Sequence, residues 1–249
     1  MTEIELIIDL HKNSERQGPG SREETLKALN FMDLPNSREL KVADIGCGSG
    51  GQTLILAQQI NGQITAVDLF PDFLSELNLR SKKSGLGRKI KTLHKSMNEL
   101  PFHRDEFDII WSEGAIYNIG FESGVRHWKD YLKTGGYLAV SDLTWITDDR
   151  PKEIEEFWTK EYPGVDTASN KIMILEKNGF TLAGYFYLNQ DSWIENYYKP
   201  MESRFESFLI RNNNSALARK VMEEHRAEID LYLKFKEYFS YGFYIARKN

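Results

Sequence analysis

The chain has 249 residues, of which 41% are hydrophobic and 28% charged, so it fits one large domain with a real core and excludes a disordered chain. A single cysteine, Cys47, excludes an internal disulfide and a cysteine-based zinc site. The net charge of −5 argues against a general nucleic-acid binder, and none is expected as a partner. The start, Met1-Thr2-Glu3-Ile4-Glu5, lacks the basic and apolar pattern of a secretory signal, and no run approaches the roughly 18 apolar residues of a membrane span. A cytoplasmic location is the expectation.

Ile4, Ile7, Ile8 and His11 fall at helical spacing and predict a helix over 3–12, broken by Gly18-Pro19-Gly20. Ser21, with Glu24 three residues on, has capping-box spacing for a helix running to Phe31. A strand over 39–45 then meets a glycine-rich turn at 46–51 and a helix over 52–59. Strands over 63–67, 90–94, 108–111 and 137–141 follow, with helices over 71–83 and 121–132 between them. Gly135-Gly136 is read as the turn into the 137–141 strand. Strand–helix alternation of this kind means an α/β fold with a parallel sheet. Pro151 suits the first turn of a helix ending near Tyr162, and Thr167 caps another that stops at Gly179. A strand over 180–188 and a last strand over 241–247 frame a helical insertion, capped at Asn214 or Ser215. Its long helix carries Leu217, Val221, Ile229, Tyr232 and Phe239 on one stripe. The chain reads as one domain: an N-terminal helical cap over 1–38, a core over 39–189, the insertion over 190–239 and the last strand over 240–249.

The run Val42-Ala43-Asp44-Ile45-Gly46-Cys47-Gly48-Ser49-Gly50-Gly51 is the informative one. An apolar strand ends beside an acid, and spaced glycines open a helix, so a ligand can approach bare backbone. Gly46, Gly48 and Gly51 satisfy the dinucleotide pattern, and Asp68 at the next strand end suits ribose hydroxyls. Both features fit NAD or another adenosine-bearing ligand. Asp44, two residues before the turn, favours a ligand with an ammonium group over a pyrophosphate, which a carboxylate repels. Gly46, Gly48 and Gly50 also satisfy a second spacing, G-x-G-x-G.

With Ala66-Val67-Asp68, Leu100-Pro101-Phe102, Phe107-Asp108 and Leu132 to Gly136 in order downstream, the series resembles the class I S-adenosylmethionine-dependent methyltransferases. The resemblance covers about 40–145 and is nearest the small-molecule branch that includes quinone-biosynthesis methyltransferases. The chain lacks the Asn/Asp-Pro-Pro-Tyr/Phe signature of nucleic-acid amino methylation and the Pro-Cys nucleophile of cytosine methylation.

The resemblance implies a Rossmann-like, doubly wound, seven-stranded and mostly parallel sheet whose last strand is antiparallel. It implies S-adenosylmethionine as cofactor, S-adenosylhomocysteine as product, and a small-molecule acceptor. By family position Asp44 and Gly46 face the methionine end, with Cys47, Gly48 and Gly50 along the turn. Asp68 takes the ribose, Leu69 packs on the adenine, and Ser96, Met97 and Asn98 lie near the adenine edge. Ser96 stands where relatives often carry Asp, and Asn98 is the substitute acceptor. Ser112 and Glu113 lie where sulfonium and acceptor meet, and Glu113 and Tyr117 are the candidate bases.

Gln17 and Gly18, in the 16–20 segment, are placed to close over the cofactor. Trp111, Trp128 and Tyr137 read as core; Tyr117 and Trp145 are equally pocket or core; Trp193, Tyr197 and Tyr198 of the insertion read as packing. An aromatic wall would suit an apolar or aromatic acceptor. His94, His103 and His127 are bases by residue type alone, and no metal is expected. The insertion offers a surface for a homodimer. An NAD-type oxidoreductase and a non-catalytic S-adenosylmethionine-binding module remain the alternatives.

Overall fold

The computed structural model describes residues 1–35 and 37–249. Its strands are β1 (Leu40–Ile45), β2 (Gly62–Asp68), β3 (Ile90–His94), β4 (Phe107–Ser112), β5 (Leu132–Trp145), β6 (Asp166–Thr167), β7 (Phe180–Tyr187) and β8 (Phe239–Lys248). They form one sheet in the order β3-β2-β1-β4-β5-β8-β7, with the two-residue β6 paired to β5. Pairs from β3 to β5 are parallel, and β8 runs antiparallel to both β5 and β7. The seven-strand path agrees with expectation; β6 is an eighth strand that a two-residue run does not announce.

Strand β5 is longer than the expected 137–141. Residues Tyr137 to Trp145 all pair with β8, and Leu132 already pairs with Phe107 of β4. Gly135-Gly136 therefore sits within β5, at the register shift between Phe107 and Ile109. Two steps along β4 match five along β5, so three extra residues loop out there with Gly135 at φ +78°, an enlarged bulge within the strand and not a turn that precedes it.

The helices are α1 (Glu3–His11), α2 (Arg22–Leu29), α3 (Gly51–Gln59), α4 (Pro71–Lys83), α5 (Phe121–Trp128), α6 (Lys152–Glu161), α7 (Ala168–Lys177), α8 (Gln190–Trp193), α9 (Lys199–Glu202), α10 (Phe205–Arg211) and α11 (Ala216–Phe235). A π-helical turn, Ile194–Tyr198, joins α8 to α9. Among the described residues no helix is long and apolar enough to cross a membrane.

Local chemistry sets the ends. Thr2, Ser21, Thr167, Asn189 and Ser215 accept backbone N–H groups at helix starts. The Ser21 capping box is only half made. Glu24 does not reach back to Ser21; it accepts from the Asn189 N–H (2.7 Å) and the Ser192 hydroxyl, tying α2 to α8. A tertiary partner has replaced the local one.

Two core layers sandwich the sheet, built around Trp111, Tyr137 and Phe243 on one face and Trp128, Ile110 and Tyr244 on the other. A third apolar cluster lies in the insertion, where Trp193, Phe208, Val221 and Tyr232 meet Leu6 and Leu10 of α1. The two N-terminal helices thus pack in different places: α1 on the insertion, α2 beside α3. Phe239 is a β8 residue facing the insertion core, not part of the α11 stripe. Parallel strands β1, β2 and β4 end together at their carboxyl ends, where doubly wound sheets hold ligands.

Candidate active site

Strand β1 runs into the glycine turn, and the turn into α3. Gly46 has φ +75° and a side chain there would strike Ala115. Gly50, at φ +87°, caps α3 and packs on Leu77. The N–H groups of Gly46 and Cys47 both donate to Val67 O (2.8 and 2.9 Å), clamping the turn to β2. Next to them Asp68 accepts from the Gly48 N–H at 2.8 Å and the Phe70 N–H at 2.9 Å. An ionised carboxylate has about four lone-pair sites, so capacity remains for a diol. Burial raises its pKa, opposed by these backbone N–H groups.

A cleft of about 450 Å³ opens over this turn, a volume suited to a nucleoside-bearing ligand. Gln17, Gly18, Gly46, Cys47, Gly48, Asp68, Leu69, Ser96, Met97 and Asn98 line it, as do Glu113 and Tyr117. Arg16, from the expected 16–20 segment, lines it as well; Phe70, Phe73, Lys95 and Gln52 line it too and were not singled out from the sequence. Phe70 and Phe73 meet edge to face at 5.7 Å, and Phe70 directly follows Asp68-Leu69. Their position after a ribose-binding acid was the available signal.

Three expected residues do not reach the cleft. Asp44 is fully buried and turned toward α3, accepting from Thr53 Oγ1 (2.5 Å) and Gln52 Nε2 (3.2 Å). Burial pushes its carboxyl up to about 7, against those two hydrogen bonds. It braces the turn from below and does not face a ligand ammonium directly. Gly50 is occupied by packing against Leu77. Ser112 is fully buried, with an unpartnered hydroxyl.

Glu113 lines the cleft but is already engaged. It accepts from Arg16 Nη1 at 2.5 Å, Thr25 Oγ1 at 2.8 Å and Trp111 Nε1 at 2.9 Å. A carboxylate so paired ties the segment after α1 and α2 to the end of β4. Tyr117 stands at the cleft rim, 41% exposed, with its phenol pKa raised chiefly by desolvation of the hydroxyl, so it keeps its proton at neutral pH and is a donor rather than a base. Cys47 is buried and its thiol pKa is raised well above the usual range, which removes it as a nucleophile. His94 bonds Leu69 O (2.9 Å) and His127 the Tyr131 hydroxyl (3.3 Å); neither they nor His103 lines the cleft. Among the described residues no cluster of His, Cys, Asp or Glu has the makings of a metal site.

The segment after α1 lies across the glycine turn. Gln17 accepts from the Ser49 N–H (2.7 Å) and donates to Ser49 Oγ (2.9 Å). Gln17 sits where a side chain at Gly48 would have to go, so the glycine admits this contact. Arg80 of α4 donates to Ser14 O and Glu15 O (2.8 and 3.0 Å), and Arg204 to Ser14 Oγ (2.6 Å). Arg16 adds the bond to Glu113.

A second chamber, about 230 Å³, adjoins the cleft and shares Gln17, Gly18, Pro19, Gly114 and Tyr117 with it. Tyr117 is an edge-to-face neighbour of Tyr162 at 6.0 Å. Trp193 and Tyr197, read from sequence as packing residues, line this chamber together with Trp158. Trp193 does pack, with 2% exposure, yet one part of its ring faces the void. Tyr198 and Trp145 are core.

Residues 42–136 match the family model described as a methyltransferase domain. The match and the sheet order agree: residues 42–136 are similar to a methyltransferase domain, carried on a doubly wound α/β sheet. The whole fold is similar to a crystal structure of an S-adenosylmethionine-dependent methyltransferase from Geobacter sulfurreducens in complex with S-adenosylhomocysteine. The TM-score is 0.84 at 16% identity, over 98% of both chains. It is equally similar to YjhP from E. coli, with TM-score 0.85 at 16% identity over 98% of this chain and 99% of that one. In sequence it is 28% identical over 117 residues to a sarcosine/dimethylglycine N-methyltransferase of Aphanothece halophytica, covering 47% of this chain and 42% of the relative. The chain spans about half the length of the curated relatives it matches.

Proposed function

We propose that the chain transfers the methyl group of S-adenosylmethionine to a small-molecule acceptor. The observation that carries this reading is the pair of adjoining cavities: a nucleoside-sized cleft over the glycine turn and Asp68, and a ring-lined chamber beyond Gly114 and Tyr117. Asp68 would hold the ribose hydroxyls, Phe70 and Leu69 the adenine face, and Ser96 and Asn98 its edge. When bound, S-adenosylmethionine supplies a methyl already activated by positive sulfur.

The protein then has mainly to position and exclude water. Gly114 and Tyr117, on the shared wall, fix the line between donor and acceptor, and such alignment supplies most of the acceleration. The 12–20 segment covers the turn and dries the junction. Glu113 holds that segment to β4 through Arg16 and acts on position rather than on a proton. Tyr117 donates a hydrogen bond without giving up its proton. The aromatic chamber suits an acceptor with an apolar or aromatic body.

The reading is tested by incubating the protein with S-adenosylmethionine and a fractionated cell extract. The low-molecular-weight fraction should release S-adenosylhomocysteine, and Asp68→Ala should slow that release roughly 10- to 100-fold at sub-saturating S-adenosylmethionine. Release driven by the nucleic-acid or protein fraction would contradict the acceptor class.

A further inference from the structure

The second chamber has a charge character of its own. Its walls are the rings of Trp158, Tyr162, Trp193, Tyr197 and Tyr241, brought from α6, the segment after it, α8, the π-helical turn and β8. Two charged side chains line it, Glu161 and Glu228, and both are acids. Among the described residues no Lys or Arg lines it. Three cations lie nearby but outside the lining: Lys171 is paired with Asp142, Arg16 with Glu113, and Arg204, behind Tyr197, donates to Ser14 Oγ. His11, which stacks on Tyr197, is kept neutral by burial, with His225 and Arg204 adding to the shift. A carboxylate- or phosphate-bearing acceptor would find no counter-charge there.

Glu161 is half-exposed at the mouth and pairs with Lys160 at 3.1 Å. Glu228 is deeper. It accepts one hydrogen bond, from the Tyr198 hydroxyl at 3.0 Å, which leaves lone pairs for a second donor. Ring faces carry negative potential and attract cations, most strongly when water is excluded.

We infer that the chamber takes the methyl acceptor as a small amine, its apolar body on the rings and its ammonium directed at Glu228. The inference rests on reading the adjoining cleft as the cofactor site. An ammonium has no free lone pair, so one proton must leave before transfer. Glu228 is the chamber group that can take it, since burial raises its carboxyl against the pull of His225 and the Tyr198 hydroxyl. The amine nitrogen then bonds the methyl carbon as the sulfur–carbon bond breaks. The product nitrogen carries the positive charge, neutral S-adenosylhomocysteine leaves, and Glu228 returns its proton to solvent.

Three probes with the same ring test the charge preference on the full chain saturated with S-adenosylhomocysteine: benzyltrimethylammonium, benzyl alcohol and phenylacetate. Calorimetry should show the cation binding about tenfold more tightly than the alcohol, and the anion more weakly than either. Glu228→Gln should cut the cation's advantage to about threefold or less while S-adenosylhomocysteine affinity stays unchanged, which also reports folding. Tyr197→Leu should weaken the cation more than the alcohol, and decides the matter if Glu228→Gln does not fold. Equal binding of the three probes, or a preference for phenylacetate, overturns the inference. Failure of S-adenosylhomocysteine itself to bind would overturn the cofactor reading instead, and the probe ranking on the ligand-free protein would still decide the chamber's preference.

Discussion

Asp68 uses two of its lone pairs on the backbone of the turn it serves, and this double duty separates it from Asp44. Asp68→Ala should weaken S-adenosylhomocysteine binding by roughly 10- to 100-fold, the worth of about 1.5–3 kcal/mol for hydrogen bonds to a charged group. Near-normal affinity by calorimetry would remove it from the site. Asp44 makes a different prediction. Its carboxyl stands at about 7 when folded and near 3.8 otherwise, because burial disfavours the charge. Between those values the folded chain holds a proton that the unfolded chain has lost. Its contribution to stability is therefore complete below about pH 4 and is lost as pH rises through 7. Asp44→Asn should flatten that slope relative to the parent and gain roughly 1–3 kcal/mol at pH 8. Urea unfolding at pH 5 and 8 measures it; an unchanged slope would mean that Asp44 is ionised in the fold. The sequence placed this acid correctly beside the turn but not its direction. A strand residue's side can be read from alternation only when the two faces differ, and β1 is buried on both.

At the level of elements, the 12–20 segment and the β5–α7 contact carry the testable energetics. Arg16 joins α2 to Glu113 at the end of β4, and both side chains are under one-tenth exposed. Arg16→Ala leaves Glu113 buried without its cation, so stability should fall by about 2–4 kcal/mol. The same variant should expose Glu15–Gly20 to protease. Retained protease resistance would show that Gln17 and Arg80 hold the segment without it. The Asp142–Lys171 pair lies deeper still, with the Tyr162 hydroxyl also donating to Asp142 (2.9 Å). Lys171→Met alone should cost about 3–5 kcal/mol, because it strands a buried carboxylate. Asp142→Asn together with Lys171→Met should recover most of that. A single variant as stable as the double, read from melting curves, would mean the pair is not ionised. None of this was legible in the sequence, since the partners lie 97 and 29 residues apart and each acid or base taken alone looks like a surface group.

On the scale of the whole molecule, the core was legible where its signal is local. Strand–helix alternation, the glycine turn and the strand-end Asp68 predict the sheet and the place of the cleft, because each depends on neighbours in the chain. What depends on distant pairing was not legible. The full length of β5 comes from β8, the half-made capping box from Ser192, and the engagement of Glu113 from Arg16 and Thr25. The second chamber is the extreme case: Trp158, Trp193 and Tyr241 face one void only once the insertion has folded back over the sheet. The reading of the molecule as a methyl-transfer enzyme stands first on what the cleft binds. The most direct measurement is calorimetric titration with S-adenosylmethionine and S-adenosylhomocysteine, with NADH as control. The account predicts micromolar or tighter binding of both sulfur ligands and none of NADH. Binding of NADH with no binding of either sulfur ligand would contradict it.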